Sequence, residues 1–257
     1  MEEQAVLTLV KSEGGVFKLT PADFVGRRMT TAEVVAIFGA FDAFWQYKGA
    51  PDAARPHALL KSLRHSNGFI MCKAVLEYPR LCMLLAHEIL KALEEKMATD
   101  QINQIDCVAS SAYSAISLGW CLAWLLSEKY NKKAKHVIVE KDDKGNPTII
   151  RGGLDPNLTV LVINELMTTG DGSTWETKEA VAKCNNDKPA PKIMDLSFVL
   201  MHRSRDFQLK DGSTVVPVFH FDMEDYKVPD GEQCPYCQAG SPAIKPKVDK
   251  NWQLLHS

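Results

Sequence analysis

The stretch richest in chemistry is Val160-Leu-Val-Ile-Asn164-Glu165-Leu-Met-Thr168-Thr169-Gly170-Asp171-Gly172-Ser173-Thr174. Its first half is an apolar, β-branched run of the kind found in a strand buried on both faces. Its second half turns through Thr-Thr-Gly-Asp-Gly, and Ser173 with Glu176 has capping-box spacing, which predicts a helix start there. A polar strand end that passes through glycine into a helix N-terminus is a place for an anion. Backbone N–H groups and the positive end of the helix both point at it. A plain strand–turn–helix with a solvated loop has the same spacing, so spacing alone leaves both readings open.

The second chemical feature is Cys234-Pro-Tyr-Cys237, which has the spacing of a redox pair and of half a zinc site. A redox fold of that type needs a strand before the pair and a whole domain after it, and residues 238–257 are short for that. Zinc needs two further ligands. The chain has no second Cys-x-x-Cys, which leaves Cys184, His220 or His256 as candidates.

Periodicity supplies the elements that must position these residues. Thr30 and Glu33 form a capping box for a helix, and Val34, Ile37, Phe38, Phe41 and Trp45 follow at the spacing of one helical face. That stripe reads as core packing, with a ligand cleft or dimer surface as the sharper alternative. Gly49 to Pro56 is a loop, since two prolines and a glycine disfavour regular structure. After Pro79 a helix places Leu81, Leu85, Ile89 and Leu93 on one face. Strands are predicted at Ile105–Ala109, His136–Val139, Thr159–Ile163, Ile193–Met201 and Val215–Phe221. Between the first two, Ser110 to Ser114 is a turn and a helix continues to Tyr130, closed by the basic run from Asn131 to His136. Glu140 to Asn146 is charged and precedes proline, so it reads as a flexible loop or hairpin. Alternating strands and helices imply a parallel sheet covered by helices, with ligands at the carboxyl ends of the strands.

Composition excludes several classes. The chain has 257 residues, 46% hydrophobic and 24% charged, which suits a globular protein with a sizeable core. A formal net charge of -2 argues against a general nucleic-acid-binding surface. The apolar stretch from Ala112 to Leu126 is shorter than the roughly 20 residues of a membrane span, so it reads as a buried helix and no membrane partner is expected. Acidic Met1-Glu2-Glu3-Gln4 lacks the basic character of a secretory or mitochondrial address, and none is expected. Seven cysteines without a regular framework suit a reducing, cytoplasmic setting.

Four separated segments, in order, resemble type I phosphoribosyltransferases, and orotate phosphoribosyltransferases in particular. Residues 160–174 are similar to the family's phosphoribosyl-pyrophosphate motif, with Asn164 where the first acidic residue is usual and Asp171-Gly172 lengthening the Thr-Thr-Gly turn. Residues 59–70 resemble its Leu-Lys-Ser-Gly-Arg-x-Ser segment, with Leu63 in place of the glycine. Residues 108–119 resemble its pyrophosphate loop, and residues 232–246 the Cys-Pro-x-Cys-x-x-Gly-x-Pro tail of a subset of such proteins.

The resemblance implies an α/β fold, a type I phosphoribosyltransferase-like parallel sheet flanked by helices with a hood subdomain. It suggests an N-terminal helical extension at 1–58, a core at 59–222 and a hood segment at 223–257. It implies transfer of ribose 5-phosphate from phosphoribosyl pyrophosphate to an orotate-like base, with Mg2+ held mainly through the substrate and a homodimer as the working form. Glu165 would then steady the ribose hydroxyls and the developing cation. Asn164 beside it could still accept a substrate hydrogen bond through its amide oxygen but supplies no charge. Thr168, Thr169, Gly170, Asp171, Gly172, Ser173 and Thr174 would cradle the 5′-phosphate, with Asp171 pointing outward because a carboxylate repels phosphate. Ser110, Ser111, Ala112 and Tyr113 would face the pyrophosphate, and Lys141 and Lys144 would reach it from a mobile lid. Lys61 would lie near base and pyrophosphate, Phe69 against the base, and Arg203 on the base's carboxylate. Asn164, the longer loop and the serine-rich pyrophosphate loop also suggest an alternative, a catalytically weak, nucleotide-binding regulatory protein on the same fold.

Overall fold

A computed structural model describes residues 1–149, 153–170, 172–186, 188–248 and 250–256. The elements open with helices α1 (Glu3–Lys11) and α2 (Thr31–Gly39), then short strands β1 (Phe44–Gln46), β2 (His57–Leu59), β3 (His65–Ser66) and β4 (Gly68–Ile70). Helices α3 (Cys72–Leu76), α4 (Pro79–Lys96) and α5 (Thr99–Asn103) lead to strand β5 (Cys107–Ser111) and helix α6 (Ala115–Tyr130). Then come β6 (Lys135–Lys141), β7 (Pro147–Thr148), β8 (Thr159–Met167), helix α7 (Ser173–Lys183), β9 (Lys192–His202) and β10 (Thr214–His220). The chain closes with β11 (Asp225–Tyr226), α8 (Pro235–Gln238), β12 (Ala243–Ile244) and α9 (Asn251–Leu255).

Two compact units result, one from residues 1–37 and 72–221, the other from 38–71 and 222–257. The divisions drawn from the sequence were 58/59 and 222/223, and the first of these lies inside the second unit, within β2.

The first unit holds a six-stranded sheet in the order β10-β9-β8-β5-β6-β7. Every pairing is parallel except β6 with β7. This is the α/β architecture expected, and its cause is visible in the central strands. Val160, Leu161, Val162 and Ile163 of β8 are at most 1% exposed, so no side of the strand alternates toward water. Helix α4 places Leu81, Leu85, Ile89 and Leu93 in the core, all 0% exposed. Burying side chains of this size stabilises by about 1.5–3 kcal/mol each. Among the described residues no helix is long and apolar enough to cross a membrane.

The second unit is built on short strands in the order β11-β3-β2-β12, with β1 and β4 paired separately. Strands β2 and β3 form an antiparallel hairpin, with Leu59 opposite His65, while β12 runs parallel to β2 with Ala243 beside His57. Trp45, Tyr47, Ala58, Leu60, Cys234, Tyr236 and Leu255 make its core.

Several expectations are corrected. Helix α2 begins with the Thr30–Glu33 capping box, Thr30 N–H to Glu33 Oε2 at 2.7 Å and Glu33 N–H to Thr30 Oγ1 at 3.2 Å. It ends at Gly39, so Phe41 and Trp45 do not continue the helical stripe. The chain turns there, with Asp42 in the left-handed region at φ 49°, and Trp45 is buried from a strand instead. Strand β8 continues to Met167, four residues beyond the expected end, because β9 pairs with it as far as Met167 opposite His202. Ser110 and Ser111 likewise belong to β5, not to the turn after it. Helix α6 is not buried all round, since Trp120 and Trp124 are about half exposed. Glu140 and Lys141 end strand β6, and residues 142–146 are the hairpin to β7.

Candidate active site

Asn164 sits in β8 at 0% exposure, and every hydrogen-bonding position of its amide is taken. Oδ1 accepts from Ser111 Oγ (2.9 Å) and from the Glu165 N–H (3.0 Å). Nδ2 donates to Ser173 Oγ (2.6 Å) and Thr174 Oγ1 (3.1 Å). One side chain therefore fastens the end of β5, strand β8 and the first turn of α7. The amide meets all four partners with two donors and an oxygen that accepts twice, whereas a carboxylate would serve them only with both the Ser173 and Thr174 hydroxyls turned to donate. Glu165 follows on β8 with its side chain half-buried, and its carbonyl oxygen accepts from Cys72 Sγ at 3.6 Å.

Residues 168–174 form the turn from β8 into α7. Gly172 is the N-cap and Ser173 the first helical residue, so the expected Ser173–Glu176 capping box does not form; the Ser173 hydroxyl serves Asn164 instead. Thr168 and Thr169 are half-buried and Thr174 is 1% exposed. The Gly170 N–H donates to Asp206 Oδ2 at 3.1 Å. A Cβ on Gly170 would stand 3.1 Å from the Gln208 carbonyl oxygen and 3.2 Å from Asp206 Cβ, so only glycine fits without a shift. Asp206 is itself oriented by Ser204, whose hydroxyl donates to Oδ2 at 3.3 Å and accepts the Asp206 N–H at 3.0 Å. A carboxylate thus lies on one of the amides expected to meet phosphate, and nothing in the sequence flagged Asp206. Asp171, expected to point outward, lies outside the described residues.

The end of β5 is held from the other side. Ser110 Oγ lies 2.8 Å from His136 Nε2, and burial holds that imidazole down at about 4, so the ring is neutral at pH 7. Gly119 of α6 makes room for the pair, because a Cβ there would approach His136 Nε2 to 2.4 Å and Ser110 Oγ to 2.9 Å. Ser110, expected to face pyrophosphate, is 0% exposed and turned toward β6. The Ala112 N–H continues the sheet by donating to the Val139 carbonyl (2.9 Å), and the Ala112–Tyr113 peptide is cis. Tyr113 is 85% exposed.

Lys141 ends β6 with Nζ 3.6 Å from Glu176 Oε2 on the first turn of α7, and Lys144 lies exposed at the hairpin tip. Arg203 follows β9; its N–H donates to the Met167 carbonyl (3.0 Å) and its side chain is 2% exposed. Lys61 and Phe69 belong to the second unit. Lys61 is exposed in the turn closed by the Leu60 N–H on the Arg64 carbonyl (2.8 Å). In the same turn Leu63 has φ 61°, the left-handed conformation that suits glycine. Phe69 lies edge-on to Trp252, with ring centroids 5.8 Å apart, and the Lys247 ammonium is 5.8 Å from its ring centre.

The second unit also gathers His57, His65, Cys234 and Cys237, whose donor atoms all lie within 4.8 Å of one another. The partners suggested from the sequence are engaged elsewhere. His220 Nδ1 lies 2.9 Å from His202 Nδ1, His256 Nδ1 2.8 Å from the Trp252 carbonyl, and Cys184 Sγ 3.4 Å from Asn185 Oδ1. His57 and His65 were missed because strand pairing, not spacing along the chain, brings them to the cysteines.

No family model matches the chain. Among solved structures it is similar to the orotate phosphoribosyltransferase of Aeropyrum pernix, at 17% identity and TM-score 0.46, covering 65% of this chain and 86% of that one. It is also similar to Saccharomyces cerevisiae adenine phosphoribosyltransferase, at 18% identity and TM-score 0.45, covering 69% and 94%. Among curated proteins it is 26% identical over 207 residues to the orotate phosphoribosyltransferase of Caldicellulosiruptor bescii, covering 80% of this chain and 96% of that one. It is 31% identical over 219 residues to the orotate phosphoribosyltransferase of Pelotomaculum thermopropionicum, covering 85% of this chain and 97% of the relative. Identity at that level across almost a whole relative, on a chain whose polar strand end turns through glycine into a helix, places this protein in the orotate phosphoribosyltransferase family.

Proposed function

We propose that the chain transfers ribose 5-phosphate from phosphoribosyl pyrophosphate to an orotate-like base, as a step of pyrimidine biosynthesis. The observation that carries this reading is the 31% identity across 97% of an orotate phosphoribosyltransferase. A ring nitrogen of the base bonds to ribose C1 as the C1–oxygen bond breaks and its electron pair leaves with pyrophosphate. Such a step needs fixed charges and dipoles more than a reactive side chain.

Glu165 accepts the ribose hydroxyls and steadies the positive charge that builds at C1. Asn164 is a positioning residue, since its amide is fully used in holding Ser111, Ser173 and Thr174. The amides of residues 168–174 meet the 5′-phosphate, for which the Gly170 N–H must exchange Asp206 for phosphate oxygen. Lys141 leaves Glu176 at little cost, because an exposed ion pair is worth only about 0–1 kcal/mol. It then joins Lys144 in offsetting the leaving charge. Arg203 carries the planar guanidinium that matches a base carboxylate. Lys61 and Phe69 keep the roles implied by resemblance, a cation near the leaving group and a face for the base.

Magnesium fits a donor set of this kind. Glu165 is the one carboxylate of residues 160–170 and the Asn164 amide oxygen is occupied, so Glu165 would be the protein's contribution to an ion held mainly through the substrate. When bound, it supplies positive charge to the departing pyrophosphate. A homodimer and a cytoplasmic setting complete the proposal, the latter supported by an odd number of cysteines without a regular framework.

Purified protein incubated with phosphoribosyl pyrophosphate, magnesium and orotate should form a nucleotide and pyrophosphate, and EDTA should stop it. No product from orotate or from a panel of acidic bases would overturn the reading. Light scattering reads the oligomeric state in the same preparation.

A further inference from the structure

His57 of β2, His65 of β3, Cys234 just before α8 and Cys237 within α8 converge in the second unit. His57 Nε2 is 3.7 Å from Cys234 Sγ, 3.6 Å from Cys237 Sγ and 2.9 Å from His65 Nδ1. Cys237 Sγ is 3.2 Å from His65 Nδ1. For Zn–S near 2.3 Å and Zn–N near 2.05 Å, a tetrahedron has edges of about 3.6 Å between S and N and about 3.3 Å between two N. The three sulfur–nitrogen separations, 3.2–3.7 Å, bracket the first edge, and the nitrogen–nitrogen separation of 2.9 Å is about 0.4 Å shorter than the second.

The surroundings decide which His57 nitrogen is available. The Ser241 hydroxyl donates to the Arg55 carbonyl (2.6 Å), so toward His57 Nδ1, 2.9 Å away, Ser241 can only accept. Nδ1 therefore carries the proton and Nε2 presents a lone pair to the cluster. On that single lone pair converge two thiols and the second imidazole. As a hydrogen-bond cluster this is poorly matched, because one lone pair satisfies one donor. Around a cation it is complete. The ring of His57 is 0% exposed and stacks on Tyr236, at 5.4 Å and 28°, which fixes its plane.

We propose that His57 Nε2, His65 Nδ1 and the thiolates of Cys234 and Cys237 bind a zinc ion that fastens the C-terminal segment to the β2–β3 hairpin. Two nitrogens and two sulfurs in a tetrahedral arrangement favour zinc over magnesium or calcium, which take oxygen. Four protein donors leave no open position, so the site is structural. On binding, each thiol gives its proton to solvent and its sulfur lone pair to the metal. The site is independent of phosphoribosyl transfer, whose failure would leave it untouched.

The whole chain, produced reduced with zinc and then dialysed, should hold one zinc per chain by plasma mass spectrometry. Replacement by Co2+ should give the visible d–d bands of a tetrahedral ion with a thiolate charge-transfer band in the near ultraviolet. Ser241→Ala leaves all four ligands in place, removes the hydroxyl that orients His57 together with its bond to the Arg55 carbonyl, and should weaken zinc by about 10–100-fold in a chelator competition. Cys237→Ser, at an exposed position, should abolish the charge-transfer intensity of one thiolate while the protein stays folded by circular dichroism. Wild-type protein that retains no zinc and gives no tetrahedral cobalt spectrum, or whose Cys234 and Cys237 form a disulfide under the same reducing conditions, would overturn the proposal.

Discussion

Replacing Asn164 by alanine would remove four hydrogen bonds from a side chain with no exposure to solvent. Ser173 is exposed and can turn to water, but Ser111 and Thr174 are buried and the Glu165 N–H lies in the strand. At about 1 kcal/mol for each of the two buried hydroxyls, Ser111 and Thr174, that lose this partner, the loss is about 2 kcal/mol. A chain of this size loses about 2–4 °C in Tm per kcal/mol, so the melting point should fall by about 4–8 °C. Asn164→Asp is the informative companion. Ser111, the Glu165 N–H and the two hydroxyls can all donate to a carboxylate, so the packing survives and Tm should stay much closer to wild type. Differential scanning calorimetry of both variants, with kcat/KM for phosphoribosyl pyrophosphate, separates positioning from charge. An Asn164→Ala protein that melts with wild type would refute the view that this amide fastens β5, β8 and α7.

Three further outcomes rest on particular contacts. Leu63→Gly relieves a left-handed backbone on an exposed leucine and should raise stability by about 1 kcal/mol in a urea titration; a loss would show that the leucine side chain matters more than its φ. Asp206→Asn removes a negative charge from the Gly170 amide and should tighten inorganic phosphate binding several-fold by calorimetry, while unchanged affinity would place the phosphate elsewhere. His136 is held at about 4 against 6.5 in the unfolded chain, so its contribution is full above pH 6.5 and is lost as pH falls toward 4. Allowing for the ring's partial exposure, that loss is about 2 kcal/mol, and His136→Gln should flatten the stability profile over the same window.

Much of the architecture was legible in the chain. Val160 to Ile163 is apolar without alternation, which only a strand covered on both faces tolerates, and Leu81, Leu85, Ile89 and Leu93 recur at the helical period. Strand ends were less legible, because pairing with β9 carries β8 past its apolar run into Asn164 and Glu165. The helix expected to run through Trp45 failed for a related reason. Spacing fits a helix there, yet Gly39 and Asp42 turn the chain and β4 pairs with Phe44, Trp45 and Gln46.

Local chemistry, then, was written in the sequence: a polar strand end, a glycine turn, a helix start, and a Cys-x-x-Cys pair. Each depends on residues within a few positions of one another. Contacts that join distant segments were decided only by folding. Asp206 reaches Gly170 because β9 runs parallel beside β8, and His57 and His65 meet Cys234 and Cys237 because β3 folds back on β2 while β12 pairs along its other edge. Periodicity reports which way a side chain faces, but only the register between strands sets what it faces.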